Sequence, residues 1–149
     1  MIHKIHVTAI FDQAIDTIFA AISDHETVLS GGGLQCELIQ KGSINSNGDG
    51  AIRLIKSAKI NFEEKIFDFI PQQHFAYLIT TTQPKVPLKH HKGWLDFTDR
   101  DGKTQVDWHS HFEITTPFIG TIIGWLMKRQ MSAVFSKRLA HYQKQFNTS

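Results

Sequence analysis

Nine histidines, 14 carboxylates and one cysteine are the side chains here with the means to ligate a metal, move a proton or attack a carbon. His109 and His111 lie two apart, which puts both on one face of a strand at a spacing that can hold a metal. Asp107 and Glu113 share that face, while Trp108, Ser110 and Phe112 take the other. The stretch therefore reads as a polar outer face. Spacing places no third ligand beside it, and no metal site is assigned. His90-His91, after Pro84 and Pro87, reads as a solvated loop, with a place at the mouth of a cavity as the alternative. Glu64 and Tyr77 are the acid–base candidates, since a carboxyl group among apolar neighbours has a raised pKa unless a cation holds it down. Nucleophilic chemistry finds less support. There is no Gly-x-Ser-x-Gly elbow, and Cys36 falls in an expected strand with no histidine arrangement around it. Gly31-Gly32-Gly33 lacks the lysine and hydroxyl residue of a phosphate loop and reads as a flexible turn. No catalytic residue is assigned.

Groups like these act only when a scaffold positions them. A chain of 149 residues is the usual size of one domain, 41% apolar and 20% charged. Its 16 basic and 14 acidic residues nearly cancel, and no run of like charges suggests nucleic acid. A single cysteine excludes an internal disulfide. Met1-Ile2-His3-Lys4 lacks the pattern of a signal peptide, and no apolar run reaches membrane-spanning length. A cytoplasmic location is expected, without stable membrane insertion, as a monomer or homodimer.

Ile5, Val7 and Ala9 alternate within an opening strand from Ile2 to Phe11. Asp12 is a candidate N-cap for a helix from Gln13 to Ile22, and Ser23 and Asp24 open a second short piece that stops at the glycines. From Leu34 to Phe112 the period is two. Strands are expected over Leu34–Gln40, Ala51–Ser57, Lys59–Phe69, Phe75–Thr81, Gly93–Thr98 and Thr104–Ile114, separated by turn-forming segments. Short links favour an antiparallel meander. The chain closes with the longest helical pattern, Pro117 to Phe146, introduced by Thr115-Thr116-Pro117. About eight of its apolar side chains are expected to pack into the sheet. Their stripe is not straight: Ile119, Ile123, Leu126, Met127 and Val134 centre on one direction, and Phe135, Leu139, Tyr142 and Phe146 on another. Either the helix bends near Met127 to Met131, or its first half caps a cavity and its second half sits in the sheet's grip. The second arrangement makes Ile119 to Met127 a gate. Gly120 and Gly124 suggest close backbone approach to the sheet or a bend in the helix.

In order along the chain, several short motifs resemble the helix-grip superfamily. That group includes the SRPBCC or START-like domains, the polyketide cyclase/dehydrase group and the birch-pollen-allergen-like carriers. The resemblance lies in the helix from Asp12 to Ser23-Asp24 and in Gly48-Asp49-Gly50-Ala51-Ile52-Arg53. It continues through Glu64-Lys65-Ile66 with Phe69, Pro71 and Phe75-Ala76-Tyr77, and through Gly93 with Asp101-Gly102-Lys103-Thr104-Gln105-Val106-Asp107-Trp108. It implies an α+β fold, a single domain in which a curved seven-stranded antiparallel sheet wraps the long C-terminal helix, with two short helices after the first strand. It also implies an apolar cavity between sheet and helix. Some members of the superfamily bind lipids, sterols or polyketides, and only some are enzymes.

The resemblance selects the inward positions. A ligand-binding wall is expected from Phe19 of the first helix, from Arg53, Phe62, Glu64, Tyr77, Ile79, Phe97, Trp108 and Ser110 on the sheet side, and from Ile123, Met127 and Met131 on the terminal helix. The two methionines either fill core or form an adaptable wall. Arg53 and Glu64 either pair inside the cavity or sit at its rim in water, because an unpaired buried charge costs several kcal/mol. The expected function is to bind, sequester or carry a small hydrophobic molecule without metal or redox cofactor. The alternatives are a cyclase- or hydratase-type enzyme using Arg53 and Glu64, and a chaperone-associated or regulatory interaction module with its cavity collapsed.

Overall fold

In a computed structural model that describes residues 1–147, seven strands form one antiparallel sheet. They are β1 (His3–Phe11), β2 (Gln35–Gln40), β3 (Ile52–Lys56), β4 (Asn61–Ile70), β5 (His74–Gln83), β6 (Leu88–Arg100) and β7 (Lys103–Ile114). Strands β2 to β7 follow one another as a meander, and β1 then pairs with β7 to give the order β1-β7-β6-β5-β4-β3-β2. Because β1 and β2 occupy opposite edges, the helices α1 (Ile15–Ile22) and α2 (His25–Val28) must cross the open side between them. The long α3 (Gly120–Asn147) packs chiefly on β1 and β7.

Local chemistry accounts for the turns. Arg100 pairs with Lys103 across a two-residue loop in which Asp101 and Gly102 both have positive φ (54° and 86°). That loop suits the right-handed twist of a hairpin and needs a small or glycine residue at each position. Asp99 fixes it by accepting the Gly102 N–H at 2.9 Å. Alternation then sets the faces. His3, Ile5 and Phe11 of β1, and Val106, Trp108, Ser110 and Phe112 of β7, point into the core.

Three expectations need correction. Asp12 does not cap α1. The helix starts from Ala14 without a side-chain cap, and the Asp12 carboxylate instead lies 3.5 Å from Lys103. Strand β6 begins at Leu88, five residues before the expected Gly93, so His90 and His91 belong to a strand. The Thr-Pro signal also precedes the helix start by one turn. Phe118 adopts a positive φ of 67° and α3 begins at Gly120, whose N–H reaches the Thr116 carbonyl at 3.0 Å.

Helix α3 is one continuous element whose two halves differ in what they turn inward. The second half buries Phe135, Leu139 and Tyr142. The first half turns Gly120 and Gly124 inward: a Cβ on Gly124 would sit 2.3 Å from His3 Nε2, and one on Gly120 would sit 2.6 Å from the Ile114 carbonyl oxygen. Of the two roles expected of these glycines, close approach is the one they take. It forces the opposite face outward, so Ile119, Leu126 and Val134 are exposed rather than capping a cavity. Far fewer than eight apolar side chains of α3 are fully buried, and the gate expected from Ile119 to Met127 does not close on the interior.

Candidate functional site

The inner face of the sheet carries a buried polar chain inside an apolar shell. Arg53 of β3 and Glu64 of β4 are cross-strand partners, which places their side chains together on the inner face. Both are buried, at 3% and 5% exposure. Glu64 Oε1 accepts from Arg53 Nε at 2.8 Å and lies 2.7 Å from Nη2. Both contacts fall on one carboxylate oxygen, and this charge-assisted pairing is what makes the burial of two charges tolerable.

His25, at the start of α2, completes the chain. One ring nitrogen, Nε2, lies 2.8 Å from the Asn47 carbonyl oxygen, and the other, Nδ1, lies 3.0 Å from Arg53 Nη1. A carbonyl can only accept and a guanidinium can only donate. The ring is therefore neutral, with its proton on Nε2. Burial, with the Arg53 charge beside it, lowers its pKa to about 3. The run Asn47 C=O, His25, Arg53, Glu64 thus ties the loop 45–50 and α2 to strands β3 and β4.

A second chain lies alongside. Arg53 Cζ stands 4.8 Å from the centre of the Tyr77 ring, and Tyr77 Oη accepts from Trp108 Nε1 at 2.8 Å. Tyr77 lies flat across Gly93, its cross-strand partner, where an added Cβ would come within 2.2 Å of the ring. The Tyr77 ring also stacks on His90, 5.5 Å between centroids. His90 Nδ1 accepts the Ile79 N–H at 3.0 Å, so its proton is on Nε2, which meets Ser110 Oγ at 3.1 Å. Burial brings the His90 pKa down to about 4 and pushes that of Tyr77 upward. Each of these groups is held uncharged.

Between these side chains and α3 lies a small cavity of about 20 Å³, with Arg53, Trp108, Phe75, Leu95, Arg138 and Leu139 among its lining. That is room for one water molecule, far below the few hundred Å³ of a typical ligand pocket. Phe135 of α3 fills the space, stacked on Trp108 with 4.0 Å between ring centres.

Of the residues expected to line a ligand site, Arg53 and Trp108 reach this cavity. Glu64, Tyr77 and Ser110 join it through the hydrogen bonds above. Phe19 and Phe97 belong instead to an edge-on aromatic cluster with Phe69 and Phe75, Phe19 and Phe97 being 4.8 Å apart. Phe62, Ile79, Ile123, Met127 and Met131 are half-buried away from the cavity wall. His109 and His111 stand on the outer face, where His109 stacks between His6 and Trp94. Among the described residues no cluster of three or more potential ligands is arranged to hold a metal.

Sequence reasoning missed His25, His90 and Arg138. Nothing in the spacing marks His25. A register shift between His90 and Lys92 breaks the alternation that would have extended β6 backward past Gly93, and Pro84 and Pro87 masked it further. Arg138 donates to the carbonyls of Ser30 and Gly31, each at 3.1 Å, beyond the C-terminus of α2.

Residues 3–146 match the model of the family described as polyketide cyclase / dehydrase and lipid transport. No curated protein matches by sequence. Among solved structures, Ara h 8.0201 superposes with a TM-score of 0.73 at 12% identity, over 97% of this chain and 99% of that one. A START superfamily protein from Mycobacterium smegmatis gives 0.72 at 12%, over 96% and 98%. The Aha1 dimer from Colwellia psychrerythraea gives 0.65 at 8%, over 98% and 97%. At these identities the likeness is one of fold.

Proposed function

Because the chain belongs to the polyketide cyclase / dehydrase and lipid transport family, whose description points to hydrophobic ligands, we propose that it binds a small, mainly apolar molecule between the sheet and α3. The whole chain serves as one binding domain, acting as a carrier rather than an enzyme. The observation that carries this reading is Arg53, a charged side chain 3% exposed that lines an otherwise mostly apolar cavity. Its bonds to Glu64 and His25 use three of the five guanidinium N–H groups. The others can meet a carbonyl, hydroxyl or carboxylate at one end of the ligand.

A cavity the size of a water molecule requires the ligand to displace protein. The second half of α3 is fastened by polar bonds: Arg138 to the α2 end, Tyr142 to the Thr27 carbonyl, and Gln143 to that of Ile10. The half-buried Met127 and Met131 belong to the less tethered part and can repack around an irregular shape. Entry therefore proceeds by movement of the first half of α3, with the Phe135 ring, at the start of the fastened half, turning off the face of Trp108 by a side-chain rotation.

The test is native mass spectrometry of the purified protein, before and after incubation with a long-chain fatty acid. One apolar molecule per chain is expected. The double variant Arg53→Met/Glu64→Met avoids a lone buried charge, the defect that would cost about 3–5 kcal/mol. It is expected to fold and to hold carboxylates more weakly while retaining plain hydrocarbons. Absence of any adduct in wild type, copurified or added, would remove this reading. The filled interior would then favour the interaction module, in which nothing enters.

A further inference from the structure

The first half of α3 and the two residues before it are apolar on the side that faces away from the protein. Phe118 is fully exposed, and Ile119, Ile122, Trp125 and Leu126 are each more than half exposed. Scattered surface leucines are ordinary, but five large apolar side chains within nine residues form a contiguous ridge. The ridge follows from the glycine face beneath it: with Gly120 and Gly124 seated against Ile114 and His3, the helix has no other direction in which to point these residues.

Charge decides what can cover the ridge. From Thr115 to Asn147 the chain contains no Asp or Glu, but it carries Lys128, Arg129, Lys137, Arg138 and Lys144. Arg129 and Lys137 are exposed, and neither takes part in an ion pair among the described residues. At about 100° per residue both lie on the same outward side as Ile122 and Leu126, and Arg129 rests on the Trp125 ring at 5.3 Å. A second copy laid on this face would bring like charges together. An aliphatic ridge with an interfacial tryptophan and unpaired cations along its length is instead the composition of a helix lying in an anionic bilayer interface.

We propose that the outer face of the first half of α3 docks this protein on anionic membrane surfaces. No helix among the described residues is long and apolar enough to cross a bilayer, so the contact is peripheral. The proposal stands apart from the ligand reading, since a chain with a filled interior would dock in the same way.

The test is cosedimentation of the full chain with vesicles of phosphatidylcholine alone and of phosphatidylcholine and phosphatidylserine in three-to-one ratio. Binding is expected on the second and not the first, with release as salt shortens the screening length. Ile122→Ser/Leu126→Ser should abolish it. Arg129→Gln/Lys137→Gln should weaken it about 25-fold, roughly fivefold for each cation removed. These positions are exposed, so both variants should fold, as circular dichroism can verify. No binding to either vesicle, equal binding to both, or binding that survives the Ile122→Ser/Leu126→Ser change would overturn the proposal. So would a dimer in sedimentation velocity that the same change dissolves, which would give the ridge to a second copy.

Discussion

His25 and His90 are where pH reaches the interior. Both are buried and neutral, with pKa values lowered by desolvation to about 3 and about 4, against roughly 6.5 in an unfolded chain. With folded values depressed, the unfolded chain takes up protons first as the pH falls. The stability tied to each ring is therefore complete above about pH 6.5 and is lost as pH falls from there towards the folded values. Over that window each contributes a slope of about 1.4 kcal/mol per pH unit. Urea midpoints should fall between about pH 7 and pH 5. His90→Gln should flatten part of that fall, because an amide can accept from Ile79 and donate to Ser110 without titrating. A wild-type midpoint unchanged over this range would contradict two buried neutral imidazoles. Arg53 and Glu64 were legible as candidates because the family resemblance put both on the inner face, but alternation left open whether they pair inside or sit at the rim, which their cross-strand register decides. His25 was not, because it sits in a four-residue helix with no period to read.

Helix α3 shows how an element can be found correctly and oriented wrongly. Its length and place were plain from the three- and four-residue spacing of apolar groups, but that pattern marks burial only when the apolar face is the inner one. Here a glycine pair takes the inner face, and glycine carries no hydrophobic signal. The fit at Gly124 is testable because two effects oppose each other there. Alanine is the better helix former by about 1 kcal/mol. Its methyl would stand 2.3 Å from His3 Nε2, and overpacking a fitted site costs about 1–3 kcal/mol. Gly124→Ala should therefore lower the thermal midpoint, while Gln130→Ala on the exposed side should leave it level or raise it. A more stable Gly124→Ala protein would mean that the first half of α3 is not seated on β1.

At the scale of the molecule, the meander and the terminal helix were legible as an α+β order, because strand spacing and turn residues leave few ways to connect six strands. The volume left inside was not. It depends on the rotation of α3 that brings Phe135 onto Trp108, a packing outcome no spacing encodes. The account therefore rests on a core that is full at rest and opens on one side, the half of the helix held by glycine contacts rather than by Arg138, Tyr142 and Gln143. Trp108 reports on this directly, being 7% exposed and lining the cavity, whereas Trp125 lies outside on the ridge. In a Trp94→Phe/Trp125→Phe protein, with no vesicles present, titration with a brominated fatty acid reads Trp108 alone. The account predicts saturable quenching at one ligand per chain. Unchanged Trp108 emission, with quenching only where Trp125 is retained, would place the ligand on the surface and contradict an interior site.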